Sequence, residues 1–151
     1  MKFTIREASL SDRDFIVNFQ VAMALETESL LLEKTTVTRG VEAVLVDSSK
    51  GKYIVAEING RVVGSLMMTY EWSDWRNGKV YWIQSVYVEE EYRKKGIFRA
   101  LYTRVKDIVL ASKDIMGIRL YVDRTNDRAQ NVYRNLGMDG DHYKVFEWMG
   151  D

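Results

Sequence analysis

The residues with the clearest chemical use lie in one run, from Ile83 to Tyr102. Ile83, Val86, Tyr87 and Val88 are apolar, β-branched or aromatic and have strand character. Glu89, Glu90 and Glu91 end a buried strand, and Ile97, Ala100, Leu101, Val105, Ile108 and Val109 then recur at helical spacing. The basic loop between them, Arg93, Lys94, Lys95 and Gly96, opens directly into that helix. The first amides of a helix lack intrahelical partners and carry the positive end of its dipole. A glycine just before them lets a ligand approach the backbone closely. This is the chemistry of a phosphate or pyrophosphate site. A basic loop that is simply solvated is the other reading of the same residues, because one glycine is a weak signal.

Upstream, Phe3 and Ile5 alternate with polar neighbours as a first strand. Ser11 and Asp14 have capping-box spacing for a helix in which Phe15, Ile16, Phe19, Ala22, Met23 and Glu26 follow helical spacing; it is expected to run to about Leu25, with the break at Glu26 to Glu28. Thr38 is the expected cap of a second helix through Val41, Val44 and Leu45, closed by Asp47 to Gly51. Ser29 to Val37, between the helices, is a candidate substrate-side loop. Lys52–Ile58 and Arg61–Tyr70 read as strands joined by Asn59 and Gly60, a pair suited to positive φ at both central positions of a tight hairpin turn. A polar and aromatic loop, Glu71 to Gly78, leads to a strand from Val80 to Val88.

The helix that follows is expected to end at Met116 and Gly117, before a short strand from Ile118 to Val122. Asn126 then caps a helix carrying Ala129, Val132, Tyr133 and Leu136, with Gly137 at its C′ position, and Tyr143 to Trp148 reads as a last strand. No repeat or linker interrupts this order. The expectation is one α/β domain over residues 1–151, with a mixed, mostly antiparallel sheet.

Composition narrows the function. A chain of 151 residues suits a single core. Lysine plus arginine equal aspartate plus glutamate at 22 each, which argues against broad binding to nucleic acid or anionic membrane and leaves room for one local basic pocket. The absence of cysteine excludes disulfides, thiolate metal sites and a cysteine nucleophile. A single histidine, His142, gives no histidine cluster, so no metal is expected. Met1 to Thr4 lacks the apolar core of a signal peptide, and no run reaches the length of a membrane span, so a cytoplasmic location is the expectation.

Val88, Tyr92, Arg93, Gly96, Ile97, Ala100 and Leu101 together resemble the acetyl-CoA-binding motif of the GNAT N-acetyltransferases. That pattern is Arg or Gln, two residues, Gly, one residue, then Gly or Ala. Arg93 and Gly96 match it, and Phe98 stands where the small residue is usual. A second stretch, with Asn126, Ala129, Tyr133, Gly137 and Met138, is similar to another signature of the family, Met138 replacing a common phenylalanine. The order strand, two helices, three strands, helix, strand, helix, strand agrees with the family's fold, a mostly antiparallel central sheet with helices on both faces.

The resemblance implies an acetyl-CoA-dependent N-acetyltransferase, with transfer to a primary amine, most simply of a small molecule. A protein N-terminus or lysine is the alternative acceptor, and a CoA-binding sensor without turnover is a third reading. It places the backbones of Val86, Tyr87 and Val88 along the pantetheine arm, at a strand end that typically bulges and splays. Arg93, Lys94, Lys95, Gly96, Ile97, Phe98 and Arg99 fall around the pyrophosphate, and Asn126 near the arm. It makes Tyr133 the general acid, since a phenol is protonated at neutral pH and can donate to a departing thiolate. Without cysteine there is no acyl-cysteine intermediate, so direct attack in a ternary complex is expected.

A base is harder to assign. Gln84 occupies the place of a glutamate found in small-amine relatives; glutamine takes no proton, but Gln84 and Ser85 could align a water that does. Glu28, Glu71, Asp74 and Asp123 are the candidate carboxylates, each also readable as a surface charge. Trp72 and Trp75 are candidate walls for an acceptor, while Tyr81 and Trp82 should alternate across their strand. Members of the fold often pair through their last strands, so Phe146 and Trp148 would serve a homodimer.

Overall fold

The computed structural model describes residues 2–150. Contacts gather into two compact units, one ending at Arg119 and one beginning at Leu120. The first holds a five-stranded sheet in the order β1-β2-β3-β4-β5: Thr4–Glu7, Lys52–Ile58, Arg61–Ser73, Gly78–Val88 and Ile115–Arg119. Neighbours are antiparallel except β4 and β5, which are parallel. The mixed sheet is therefore as expected from the sequence, and helices cover both of its faces.

Helices α1 (Arg13–Glu28) and α2 (Lys34–Val46) cover one face, where Ile16, Val17, Phe19 and Val41 form a core with Tyr53, Val55 and Val62. Helix α3 (Ile97–Ala111) covers the other with Ile97, Leu101, Tyr102 and Val105, each buried. A Cβ added to Gly64 of β3 would come within 3.5 Å of the Ile97 side chain, which shows how closely α3 lies on the sheet.

Local chemistry explains most boundaries, including those that differ from expectation. The β2–β3 hairpin turns at Asn59 (φ 50°) and Gly60 (φ 80°), as the dipeptide demands. The capping box before α1 lies two residues earlier than Ser11 and Asp14: the Ser9 amide donates to the Asp12 carboxylate at 2.8 Å. Helix α1 runs through Glu28 instead of stopping near Leu25, and ends where Ser29 turns left-handed at φ 51°. Helix α2 starts at Lys34, so Thr38 is an interior residue whose hydroxyl donates to the Lys34 carbonyl at 2.8 Å. The expected loop from Ser29 to Val37 is thus shortened to Ser29–Glu33.

Glu71 and Trp72 belong to β3, not to a loop, because β3 and β4 stay paired out to Ser73 and Gly78. Helix α3 stops at Ala111, and β5 starts at Ile115. The strand thus lies three residues before the expected Ile118–Val122, and Met116 and Gly117 are inside it.

In the second unit, α4 (Asp127–Asn135) is the regular element. Asn126 Oδ1 accepts the Ala129 amide at 3.1 Å as a side-chain cap. At the other end Gly137 (φ 90°) donates to the Arg134 carbonyl at 2.9 Å and Met138 to that of Tyr133 at 3.1 Å, a complete Schellman motif. Tyr143–Trp148, expected as a strand, forms none. An alternating segment becomes a strand only when a neighbour supplies a ladder, and residues 120–150 provide helix and turn. Among the described residues no helix is long and apolar enough to cross a membrane.

Candidate functional site

The site is built around the end of β4. Met67 of β3 faces Gln84 and Ser65 faces Tyr87, so β4 spends three residues where β3 spends two. The surplus is a β-bulge, and Ser85 sits in it at φ 53°. Directly opposed residues share a face, so Gln84 and Tyr87 both lie on the side of α1 and α2. On its other edge β4 pairs with β5 only from Lys79 to Trp82. From Ile83 to Val88 that edge has no strand beside it among the described residues, and this includes the backbones of Val86 and Val88.

The strand then feeds the basic loop. A short 3₁₀ turn, Glu90–Tyr92, leads to Lys94 (φ 62°) and Gly96 (φ 85°), which is the N-cap of α3 and makes no side-chain capping bond. Among the described residues the amides of Lys94, Lys95, Gly96 and Ile97 meet no backbone carbonyl. A Cβ placed on Gly96 would touch nothing within 4 Å, so glycine is needed here for its left-handed φ, and the space above it is open. Lys94, Lys95 and Arg99 are exposed around this turn. The turn therefore fits a diphosphate: several backbone donors, a helix N-terminus and exposed cations. The Phe98 ring pairs with Tyr102 one turn along α3, their centroids 6.4 Å apart.

Arg93 takes a different part. Its Nε donates to the Val88 carbonyl at 2.7 Å and its Nη2 to Glu26 Oε2 at 2.9 Å, with the guanidinium 5.3 Å from the Tyr87 ring centroid. The Tyr87 hydroxyl donates to Glu26 Oε1 at 3.1 Å, and its ring stacks on Phe19 at 5.2 Å. Burial, followed by the neighbouring Glu26, raises the Tyr87 phenol above its ordinary range. Glu26 joins this cluster where the sequence suggested only a helix break. A shallow groove beside it is lined by Glu26, Tyr87, Glu89, Glu90 and Glu91.

A second cluster lies on the same face, nearer the β3–β4 hairpin. Glu71 accepts the Trp82 indole N–H at 2.8 Å and the Arg119 guanidinium through both oxygens, at 2.9 and 2.7 Å. The Trp82 bond and then Arg119 hold its carboxyl below the usual range, which makes it a poor base. Gln84 donates through Nε2 to the Thr69 hydroxyl. Tyr81 is buried towards α3 while Trp82 is half-buried on the opposite face, the alternation expected of that pair. Trp72 and Trp75 are 62% and 90% exposed. Asp74 and Glu28 are also exposed.

In the second unit, Tyr133 is on α4 and burial raises its phenol above the ordinary tyrosine range. Asp123 is exposed and held low by the Thr125 hydroxyl and amide, which turn the chain before Asn126. His142 and Phe146 are exposed, as is Trp148.

A mixed sheet with helices on both faces, one strand bulged and parted from its neighbour, and a left-handed glycine turn into a helix define an α/β protein with an anion-competent sheet edge. The chain belongs to the acetyltransferase (GNAT) family, whose sequence profile matches residues 20–138. A solved structure described as a possible acetyltransferase from Clostridium difficile 630 is 44% identical, covers 100% of this chain and 99% of its own, and superposes with a TM-score of 0.93. Among curated relatives, thialysine N-epsilon-acetyltransferase of Bos taurus is 33% identical over 76 residues, 50% of this chain and 44% of that protein. An acetyltransferase of Pectobacterium atrosepticum is 33% identical over 84 residues, 56% and 55% respectively. The chain thus spans about half the length of the curated relatives it matches.

Proposed function

We propose that this chain is an acetyl-CoA-dependent N-acetyltransferase that acetylates a primary amine of a small molecule by direct attack in a ternary complex. The observation that carries this reading is the Ser85 bulge with the β4 edge from Ile83 to Val88, which has no strand beside it among the described residues, running into the donor-rich turn at Lys94–Ile97. An open strand edge suits an amide-bearing arm, and the turn suits a diphosphate. Acetyl-CoA supplies the activated acyl group. The chain's own residues bind and orient it and move protons.

Binding falls to the main chain of Val86 and Val88 and to the loop amides, with Lys94, Lys95 and Arg99 adding positive charge. Gln84, held by Thr69, keeps an amide oxygen that can align a water, so the amine loses its proton through solvent instead of to a fixed carboxylate. Glu71, saturated by Trp82 and Arg119, is the wrong group for that task. The role of acid for the leaving thiolate goes to Tyr133, on the family resemblance and on a phenol that stays protonated at neutral pH.

The acidic groove, whose Glu89, Glu90 and Glu91 carboxylates lie beyond the Glu26 tie, favours a cationic acceptor, as does the thialysine for which the bovine relative is named. A second reading, a peptide or protein amine, is favoured by the exposure of Trp72 and Trp75, which can meet a large partner.

The test is an acceptor screen with thiol release as the readout, covering polyamines, amino acids, lysine peptides and free peptide N-termini, beside calorimetric binding of acetyl-CoA. Turnover with small amines and intersecting initial-rate lines are expected. Parallel lines would refute direct attack, and CoA binding without turnover on any amine would refute the enzyme.

A further inference from the structure

The loop that follows β4 is anchored from outside itself, by a carboxylate on α1. Glu26 uses both oxygens, Oε2 on Arg93 and Oε1 on Tyr87, so one side chain ties α1, β4 and the loop together. Arg93 completes the tie with its bond to the Val88 carbonyl. The guanidinium is thereby turned back onto the strand end and towards α1. What the loop offers an anion is instead the backbone of Lys94 to Ile97, two of whose residues hold left-handed φ. Such a backbone persists only when its surroundings over-determine it, and the Glu26–Arg93–Val88 tie lies immediately before it.

We infer that Glu26 is a positioning residue for this turn: by fixing Arg93 it pre-sets the amides of Lys94–Ile97 that receive the diphosphate. The inference rests on the acetyl-CoA reading proposed above. It assigns Glu26 no contact with either substrate. It also reassigns Arg93, which holds the loop's shape from behind.

The experiment compares Glu26→Ala and Glu26→Gln with the parent chain, using two donors, acetyl-CoA and acetyl-pantetheine, which lacks the diphosphate. Losing charge-assisted bonds of this kind is expected to raise KM for acetyl-CoA about tenfold in the alanine variant. KM for acetyl-pantetheine and kcat should change little, and hydrogen exchange at residues 94–97 should quicken without the same change across β2 and β3. Circular dichroism identifies a variant that has not folded, and the glutamine variant then decides. An unchanged KM for acetyl-CoA, or an equal rise for both donors, overturns the inference. Failure of the parent itself to bind acetyl-CoA in the calorimeter would instead sink the functional reading, and the exchange rates at 94–97 would still decide whether Glu26 sets the turn.

Discussion

Tyr133 is where the chemistry of single residues can be tested most sharply. Burial disfavours the phenolate and raises its phenol further from neutrality than an ordinary tyrosine, which is already protonated there, so it serves as a proton donor and not as a base. Tyr133→Phe should lower kcat by about a hundredfold, the lower end of what general acid catalysis supplies, with little change in acetyl-CoA affinity. Steady-state kinetics paired with calorimetry checks this, and unchanged turnover would remove the role. Glu26 shows the opposite case, a residue whose part could not be read locally. Its partners Tyr87 and Arg93 are 61 and 67 positions away, and apolar periodicity carries no information about such pairings. Arg93 was legible as part of a loop motif, but its direction, back onto Val88, depends on the same distant carboxylate.

At the scale of elements, the tight features were legible and the open-ended ones were not. Asn59 and Gly60, or Asn126 and Gly137, specify a turn or a helix end through their own backbone preferences. Thr38 illustrates the failure: a threonine serves equally as a cap or, inside a helix, as a donor to the carbonyl four residues back, and only the chain ahead of it decides. The extent of β3 was hidden for a similar reason, since its polar end is kept in the sheet by cross-strand partners. Glu71 is one of them, joining β3 to Trp82 on β4 and Arg119 on β5. Glu71→Ala should therefore loosen β5, at a cost of about 1 kcal/mol for a partly exposed pair. The expected signature is faster hydrogen exchange at Lys79–Trp82 and Ile115–Arg119, with β1–β2 amides unaffected.

For the folded chain as a unit of stability, acid is the informative probe. Burial alone would raise the Asp12 carboxyl, but its bonds to Arg6 and the Ser9 amide outweigh that and leave it below its ordinary value. A carboxyl depressed in the folded state stabilises fully above its unfolded value, near 4, and that contribution is lost as pH falls through the folded value. Asp12→Asn should cost about 1.5–3 kcal/mol at pH 7. Urea midpoints across pH should show the gap between parent and variant closing in acid. The element order along the chain as far as α4 and both family motifs were accessible from sequence because each rests on contiguous residues. The bulge was expected only through the resemblance, since nothing in Gln84-Ser85-Val86 announces which residue the ladder will skip.

That skipped residue sets the parity of the strand. With Ser85 present, Gln84 and Tyr87 look the same way although an odd number of steps separates them. Excising this one serine would leave two steps between Gln84 and Tyr87, so strict alternation would return with Tyr87 still against Phe19 and still opposite Ser65: the bulge absorbs the odd step, and what the deletion would remove is the bend at the strand end that leads into the loop.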